Sequence, residues 1–375
     1  MPQRRLRLRS PYAATMSFAA LRRHYPVLEH TAYLNAGSCG PLPAVAVRAG
    51  AEAVERAAQD GRALPYFQAT AVAGGTLRDL YAQAIGARPQ DVAVTTGTSE
   101  GLTRMIAALR LGAGDEVLTA PDEHPGLLGP LAAARRHLGI TIRTAPLAGI
   151  AEAVDGRRTK LVACSHVNWT TGALAPAALA EVGRDVPVLL DGAQGAGALA
   201  FDVTALGCFA YSAAGQKWLC GPVGTGLLWV DPAWRERLAD ISPTYVNLIE
   251  PAAGLDAEPH PDARAFDAPA LSLEVLAAAA ASAGVLSEYG WSRLFSRAQV
   301  LCDRMVAGLQ GAGRSVAARG PSTLISWTEA DPGAVVDRAT AAGVVLRPIP
   351  GTSYVRASVG AWNDIRDIER LVAVL

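Results

Sequence analysis

Two residues of complementary chemistry frame the middle of this sequence. Asp191 ends the apolar run Val188–Leu190, and Lys217 follows a second run, Cys208–Ser212, after a few small residues. Both runs, and a third at Gly226–Val230, are short, apolar and bounded by turn residues, the pattern of strands buried on both faces of a sheet. The carboxylate and the amine, 26 positions apart (217 − 191), therefore fall beyond the C-terminal ends of buried strands. That edge is where open α/β sheets bind ligands. An amine there forms a Schiff base with an aldehyde and moves a proton, while a carboxylate keeps a ring nitrogen protonated. These are the requirements of pyridoxal phosphate (PLP) chemistry.

A phosphate needs backbone N–H groups and a helix N-terminus, which the TTGTSEG turn offers through Gly97, Thr98 and Ser99. The other glycine-rich stretch, GPVGTG at 221–226, precedes a strand instead of opening a helix, and no Gly-Lys-Ser/Thr occurs. His124 follows the next strand, where an imidazole can stack on a ring and act as acid or base. Only Asp122, Glu123 and His124 cluster among the scattered histidines and acids, so no metal site is expected. Each residue alone has a plainer reading: a turn-capping Asp, a solvated Lys, a locally bonded His. Their joint placement at one sheet edge is what those readings do not explain.

The elements that must position them alternate. RPQDVAVTTGTSEGLTRMIAAL gives a strand at Val92–Val94, a turn and a helix with Thr98 or Ser99 as its N-cap. GDEVLTAPDEHPGLLGPL repeats the plan, with a helix from about Pro125, and KLVACSHVNWTTG is a further strand. The alternation through Val230 predicts a mostly parallel, doubly wound sheet. Residues 241–270 are rich in Pro, Ala and acids and read as a long functional loop or a connection. Leu271–Gln310 reads as helical, and strand and helix then alternate to the end. The expected organisation is an N-terminal segment 16–43, a large domain 44–270 and a small C-terminal α/β domain 271–375. Residues 1–15 are Arg-rich, lack the long apolar core of a secretory signal, and are expected to be disordered or to precede a true start at Met16.

Composition narrows the partners. Among 375 residues, Lys plus Arg number 34 and Asp plus Glu 34, so no net field favours nucleic acid or an anionic membrane. The five cysteines form an odd set without paired spacing, which suits a reducing, cytoplasmic setting. The most apolar segment, Leu276–Leu286, is too short to span a bilayer.

On GDEVLTAPDEHPGLLGPL, SHVNWTTGALAP, LLDGAQGAGALAFDVTALGCFAY, GQKWLCGPVGTG, ISPTYV and VRASV, in that order, the chain from Tyr33 onward resembles the class V aminotransferase group of fold-type I PLP enzymes. This is the group of cysteine desulfurases, and within it the chain most resembles the L-cyst(e)ine C-S lyases. The resemblance implies a large domain with a seven-stranded-type, mostly parallel sheet, a small C-terminal α/β domain and a homodimer. It implies that Lys217 is the Schiff-base lysine, Asp191 the pyridine-nitrogen partner, Gln194 the partner of the ring hydroxyl, His124 the stacked imidazole, and Thr98 with Ser99 the phosphate turn. Arg356 falls where the family binds the substrate carboxylate, and Asn35 is a second substrate-side candidate.

The sequence departs from the family at two places. Ala214, Gly215 and Gln216 precede the lysine where members carry Ser or Thr, Gly, His, leaving Ser212 or Gln216 to compensate. Phe266–Ala270 (FDAPA) lacks the Thr normally lent to the partner's phosphate. No cysteine lies between Trp327 and Arg347, where desulfurases carry their persulfide. The expected activity is β-elimination from cysteine, cystine or a cysteine conjugate. The alternatives are a cysteine-sulfoxide-adduct lyase of the ergothioneine type, an epimerase like isopenicillin N epimerase, an aminotransferase, or a non-catalytic protein on the same fold.

Overall fold

The computed structural model describes residues 16–241 and 243–375; the reading of residues 1–15 lies outside them. In chain order the first half contains α1 (Phe18–Arg23), β1 (Ala32–Tyr33), α2 (Ala44–Asp60), α3 (Leu64–Ile85), β2 (Val92–Thr95), α4 (Thr98–Ala108), β3 (Glu116–Thr119), α5 (Pro125–Leu138), β4 (Thr141–Thr144) and β5 (Thr159–Ser165). The second half contains α6 (Leu179–Val182), β6 (Val188–Asp191), β7 (Ala210–Ala214), β8 (Gly226–Val230), α7 (Leu273–Tyr289), α8 (Trp291–Gly311), β9 (Leu324–Thr328), α9 (Pro332–Ala341), β10 (Val344–Val345), β11 (Arg347–Pro348), β12 (Tyr354–Ser358) and α10 (Ile365–Val372).

The main sheet runs β2-β8-β7-β6-β5-β3-β4. Its strands from β7 to β4 are parallel, and β8 is antiparallel to both β7 and β2. That reversal follows from chain length: residues 215–225 are too few for a crossover helix, so the chain turns back at the same edge. The loop carrying Lys217 is thereby kept beside the end of β6. Strands β6, β7 and β8 are buried throughout, as their unbroken apolar sequences require, whereas β4 (TIRT) is a partly exposed edge strand with no apolar run to announce it. Helix α4 lies close against β7 because Gly101 has no side chain; a Cβ there would be 2.2 Å from the Ser212 hydroxyl.

Helix α7 shares its core with α3 and the main sheet: Leu276, Ala279 and Ala283 cluster with Leu77, Tyr81 and Trp229. The helix that opens residues 271–375 therefore packs with the large sheet. A second core joins Leu301, Met305, Ile325 and Trp327 to Ala32 and Leu34 from the N-terminal segment. There β12 lies between β11 and β9, and β1 pairs in parallel with β10.

Candidate active site

Asp191 is the last residue of β6, and its Oδ1 accepts the Ala193 amide at 2.9 Å. Burial raises its pKa, opposed by the charge of Lys217 and by that hydrogen bond. Lys217 is partly buried in the loop after β7. Desolvation pushes its amine down to about 8, opposed by Asp191 and reinforced by Arg356. An amine in that range is neutral in a useful fraction of molecules near physiological pH and can act as a nucleophile or base.

The loop at 35–40 closes over Lys217. The Gly40 amide donates to the Gln216 carbonyl at 2.8 Å. A Cβ at Gly40 would lie 2.1 Å from the Lys217 carbonyl oxygen, so only glycine permits this approach. Gln194 is buried; its Nε2 donates to the Gly37 carbonyl and its Oε1 accepts from Trp218 Nε1, both at 2.9 Å. It thus clamps the same loop and retains one N–H for a further acceptor.

At the head of α4 the N-cap is Gly97, with Thr98 and Ser99 inside the first turn; neither is the cap expected from sequence. The Thr98 hydroxyl is buried without a partner. Ser212 does not reach out to compensate for the missing hydroxyl at Ala214: its Oγ donates to the Thr98 carbonyl at 2.9 Å and is buried beneath the turn. Gln216 remains, with its Oε1 buried and unpartnered. A half-turn of that amide would present N–H groups instead. The Phe266–Ala270 stretch is an anchor: Asp267 pairs with Arg78 at 2.7 Å and accepts the Val94 amide at 2.8 Å.

His124 is the N-cap of α5, its Nδ1 accepting the Gly126 amide at 2.9 Å. Burial, then the charges of Lys217, Arg347 and Arg356, push its pKa down to about 4. The ring is therefore neutral, with its proton on Nε2. Trp169 meets it edge-on at 5.0 Å and donates its Nε1 to the Asp122 carbonyl at 2.9 Å. Asn168 holds the Asp122 carboxylate at 2.8 Å, so the loops after β3 and β5 are fastened together.

Arg356, on β12, is 1% exposed. Its Nη1 donates to the Trp169 carbonyl at 2.6 Å and its Nη2 to Ser38 Oγ at 3.4 Å, while its Nε has no partner. Arg347 stands opposite it in the β11–β12 register and donates to the same Ser38 Oγ at 3.0 Å. Ser38 in turn donates to Asn35 Oδ1 at 2.8 Å. Asn35 therefore shapes the turn that presents Ser38. Among the described residues neither arginine has a carboxylate partner, and burial followed by the charge of Arg347 lowers Arg356 to about 9. Sequence reading missed Arg347 and Ser38; the one available signal was the spacing of the two arginines about the Gly351 turn of a hairpin.

The residues present suit PLP. They offer a buried carboxylate beside a desolvated amine, an orphaned hydroxyl in the first turn of a helix, and an orphaned amide one residue before the lysine. Among the described residues no group of three or more His, Cys, Asp or Glu could hold a metal, and no helix is long and apolar enough to cross a membrane.

Comparison with known proteins bears on this arrangement. The chain is 32% identical over 243 residues to isopenicillin N epimerase of Streptomyces clavuligerus, covering 59% of this chain and 58% of that protein. It is 29% identical over 324 residues to a probable cysteine desulfurase of Pseudomonas aeruginosa, covering 76% and 78%. The chain spans a little over half the length of the epimerase it matches. Its structure superposes with a TM-score of 0.86 and 25% identity on the cystine C-S lyase C-DES in complex with its reaction product cysteine persulfide, over 93% of this chain and 98% of that one. A C-DES variant with glycine covalently linked to its PLP cofactor matches equally well, with a TM-score of 0.86 over 94% and 98%. With residues 33–270 matching the family described as aminotransferase class-V, the chain belongs to that family and carries its fold-type I, PLP-dependent enzyme architecture.

Proposed function

We propose that this protein is a PLP-dependent carbon–sulfur lyase that performs β-elimination on cysteine-derived amino acids, with cystine-like substrates bearing two carboxylates preferred. The observation that carries this reading is the pair Arg347 and Arg356, converging on Ser38 beside Lys217 with no carboxylate partner among the described residues. A guanidinium fork grips a carboxylate through two parallel hydrogen bonds. Arg356 would take the α-carboxylate and Arg347 the distal one.

PLP, when bound, supplies an electron sink for negative charge developing at Cα. Lys217 would hold it covalently and would carry the Cα proton. Asp191 would keep its ring nitrogen protonated, Gln194 would offer its remaining N–H to the ring hydroxyl, and Thr98, Ser99 and Gln216 would receive the phosphate. His124, neutral, would lie against the cofactor and offer its Nε2 proton to the departing sulfur. Asn35 acts through Ser38. The likeness in fold to a cystine C-S lyase solved with its reaction product cysteine persulfide supports this substrate class.

A protein-bound persulfide relay is not required. Cys302, the last cysteine, is buried in α8 with its thiol pushed up to about 12 by burial. Homodimer formation fits the exposed Leu64, Phe67 and Val72 on α3, which sedimentation would test, and a cytoplasmic setting fits five free cysteines. Incubation with PLP and cystine should release pyruvate and ammonia, and Lys217→Ala should abolish both turnover and the visible cofactor band. Absence of pyruvate from every sulfur amino acid overturns the reading. The likeness to isopenicillin N epimerases supports a second one, Cα inversion by the same lysine; loss of optical activity without pyruvate would select it.

A further inference from the structure

One buried carboxyl group at this edge is left unused by the chemistry above. Glu123, between Asp122 and His124, is 2% exposed, and among the described residues it forms no ion pair. One of its oxygens accepts the Ser165 amide at 2.8 Å, and the other contacts the Ser165 hydroxyl. Ser165 is the last residue of β5 and stands opposite Asp191 in the β5–β6 register. The titratable groups facing this carboxyl are Asp122 on its own loop, Cys164 on β5 and Asp191 on β6; none is a cation.

Burying an uncompensated carboxylate is costly, and a like charge one strand away adds to the cost. Burial accordingly pushes the Glu123 acid up to about 7, the Ser165 bonds opposing and Asp191 and Asp122 reinforcing the rise. The charge of Asp191 thus bears on the ionisation of Glu123, and by reciprocity that of Glu123 on Asp191. We propose that Glu123 is a positioning residue: as a neutral acid it ties the His124 loop to the end of β5, and its ionisation sets a second negative charge beside Asp191.

The part played by Asp191 toward a ring nitrogen rests on the function proposed above; the tie and the coupled titration do not. The first test therefore uses apoprotein. Unfolding frees Glu123 to ionise at its ordinary value near 4.3, so the native state alone holds a proton between there and about pH 7. Wild-type stability then falls as pH rises through that window. Glu123→Gln, which cannot ionise, escapes the fall. The melting temperature of Glu123→Gln relative to wild type should rise by about 3 °C between pH 5 and pH 8 and level off above. Parallel curves overturn the titration.

Glu123→Ala lacks the tie as well, so at pH 5 it should melt below Glu123→Gln; equal melting there overturns the tie. In PLP-loaded protein, the pH midpoint of the cofactor's visible band should shift in Glu123→Gln, and an unmoved midpoint overturns the coupling to Asp191. If neither protein forms a band, the cofactor reading fails and the apoprotein curves still decide the role of Glu123.

Discussion

Arg22 and Arg356 occupy comparable places, each drawn from near one end of the chain into a buried cluster, but they end in opposite electrostatic company. Arg22 binds Asp367 through both terminal nitrogens at 2.7 and 3.0 Å and donates to the Leu28 carbonyl at 2.6 Å. Nearby in the same cleft between α1 and α10, Arg370 donates to the His30 carbonyl at 2.9 Å. Arg356 is deeper, and the charge that weighs on it is that of another arginine. A protein that buries a cation beside its own carboxylate is building structure; one that buries a cation beside a second cation is leaving room for someone else's anion.

The largest effect that would break this contrast is at Arg356. On the proposed function, replacing Arg356 with Met removes charge-assisted hydrogen bonds to the substrate carboxylate worth about 3 kcal/mol, so kcat/KM should fall about 100-fold in a pyruvate assay. Thermal stability of the apoprotein should hold or rise, because a buried, unneutralised cation is gone. An apoprotein that melts several degrees lower would place Arg356 with Arg22. The mirror experiment, Arg22→Met, leaves Asp367 buried without its cation and should cost about 3 kcal/mol in chemical denaturation while leaving kcat/KM unchanged.

Arg347 sharpens the comparison within the site. In Arg347→Met, KM for cystine should rise about 10-fold while an S-alkylcysteine with one carboxylate changes far less, since a single exchanged ion contact is worth about 1.4 kcal/mol. Equal losses on both substrates would make it a general electrostatic residue. The smallest effect is on His124, whose depressed pKa owes part of its shift to Arg347. An NMR titration of the imidazole in Arg347→Met should move upward, and an unmoved titration would mean that burial alone sets it.

What the sequence made legible divides along the same line. Asp191, Lys217, Thr98 and His124 are each within a few residues of a strand or helix end, so hydrophobic runs and turn chemistry located them. The strands β2, β6 and β8 came out within one residue, while β7 runs Ala210–Ala214 where the apolar run suggested Cys208–Ser212. The helix cap slipped to Gly97 because backbone geometry outweighed the usual side-chain preference. Ser38 and Arg347 were not singled out, and Glu123 entered only as part of the Asp122–His124 cluster. Their meaning depends on pairings between segments far apart in sequence, and no local period records those. Helix α7 illustrates the limit in packing: alanines on nearly every face specify burial without saying against which layer.

The 35–40 loop has a consequence for how the molecule is made. Its Asn35 bridges to Ser358, its neighbour β1 pairs with β10, and its Gly37 and Gly40 are held by Gln194 and Gln216. A segment from the beginning of the chain is thus wedged between the middle and the end. Contacts of such separation form late, because closing the long intervening loop has an entropic cost that nothing local offsets. During synthesis the main sheet can gather around its own strands, but the pairing of this loop with β10 and β12 waits for residues 344–358 to leave the ribosome. On the function proposed, the chemistry therefore waits for these residues to be made: a product ending before them would carry Lys217 and lack Arg347 and Arg356.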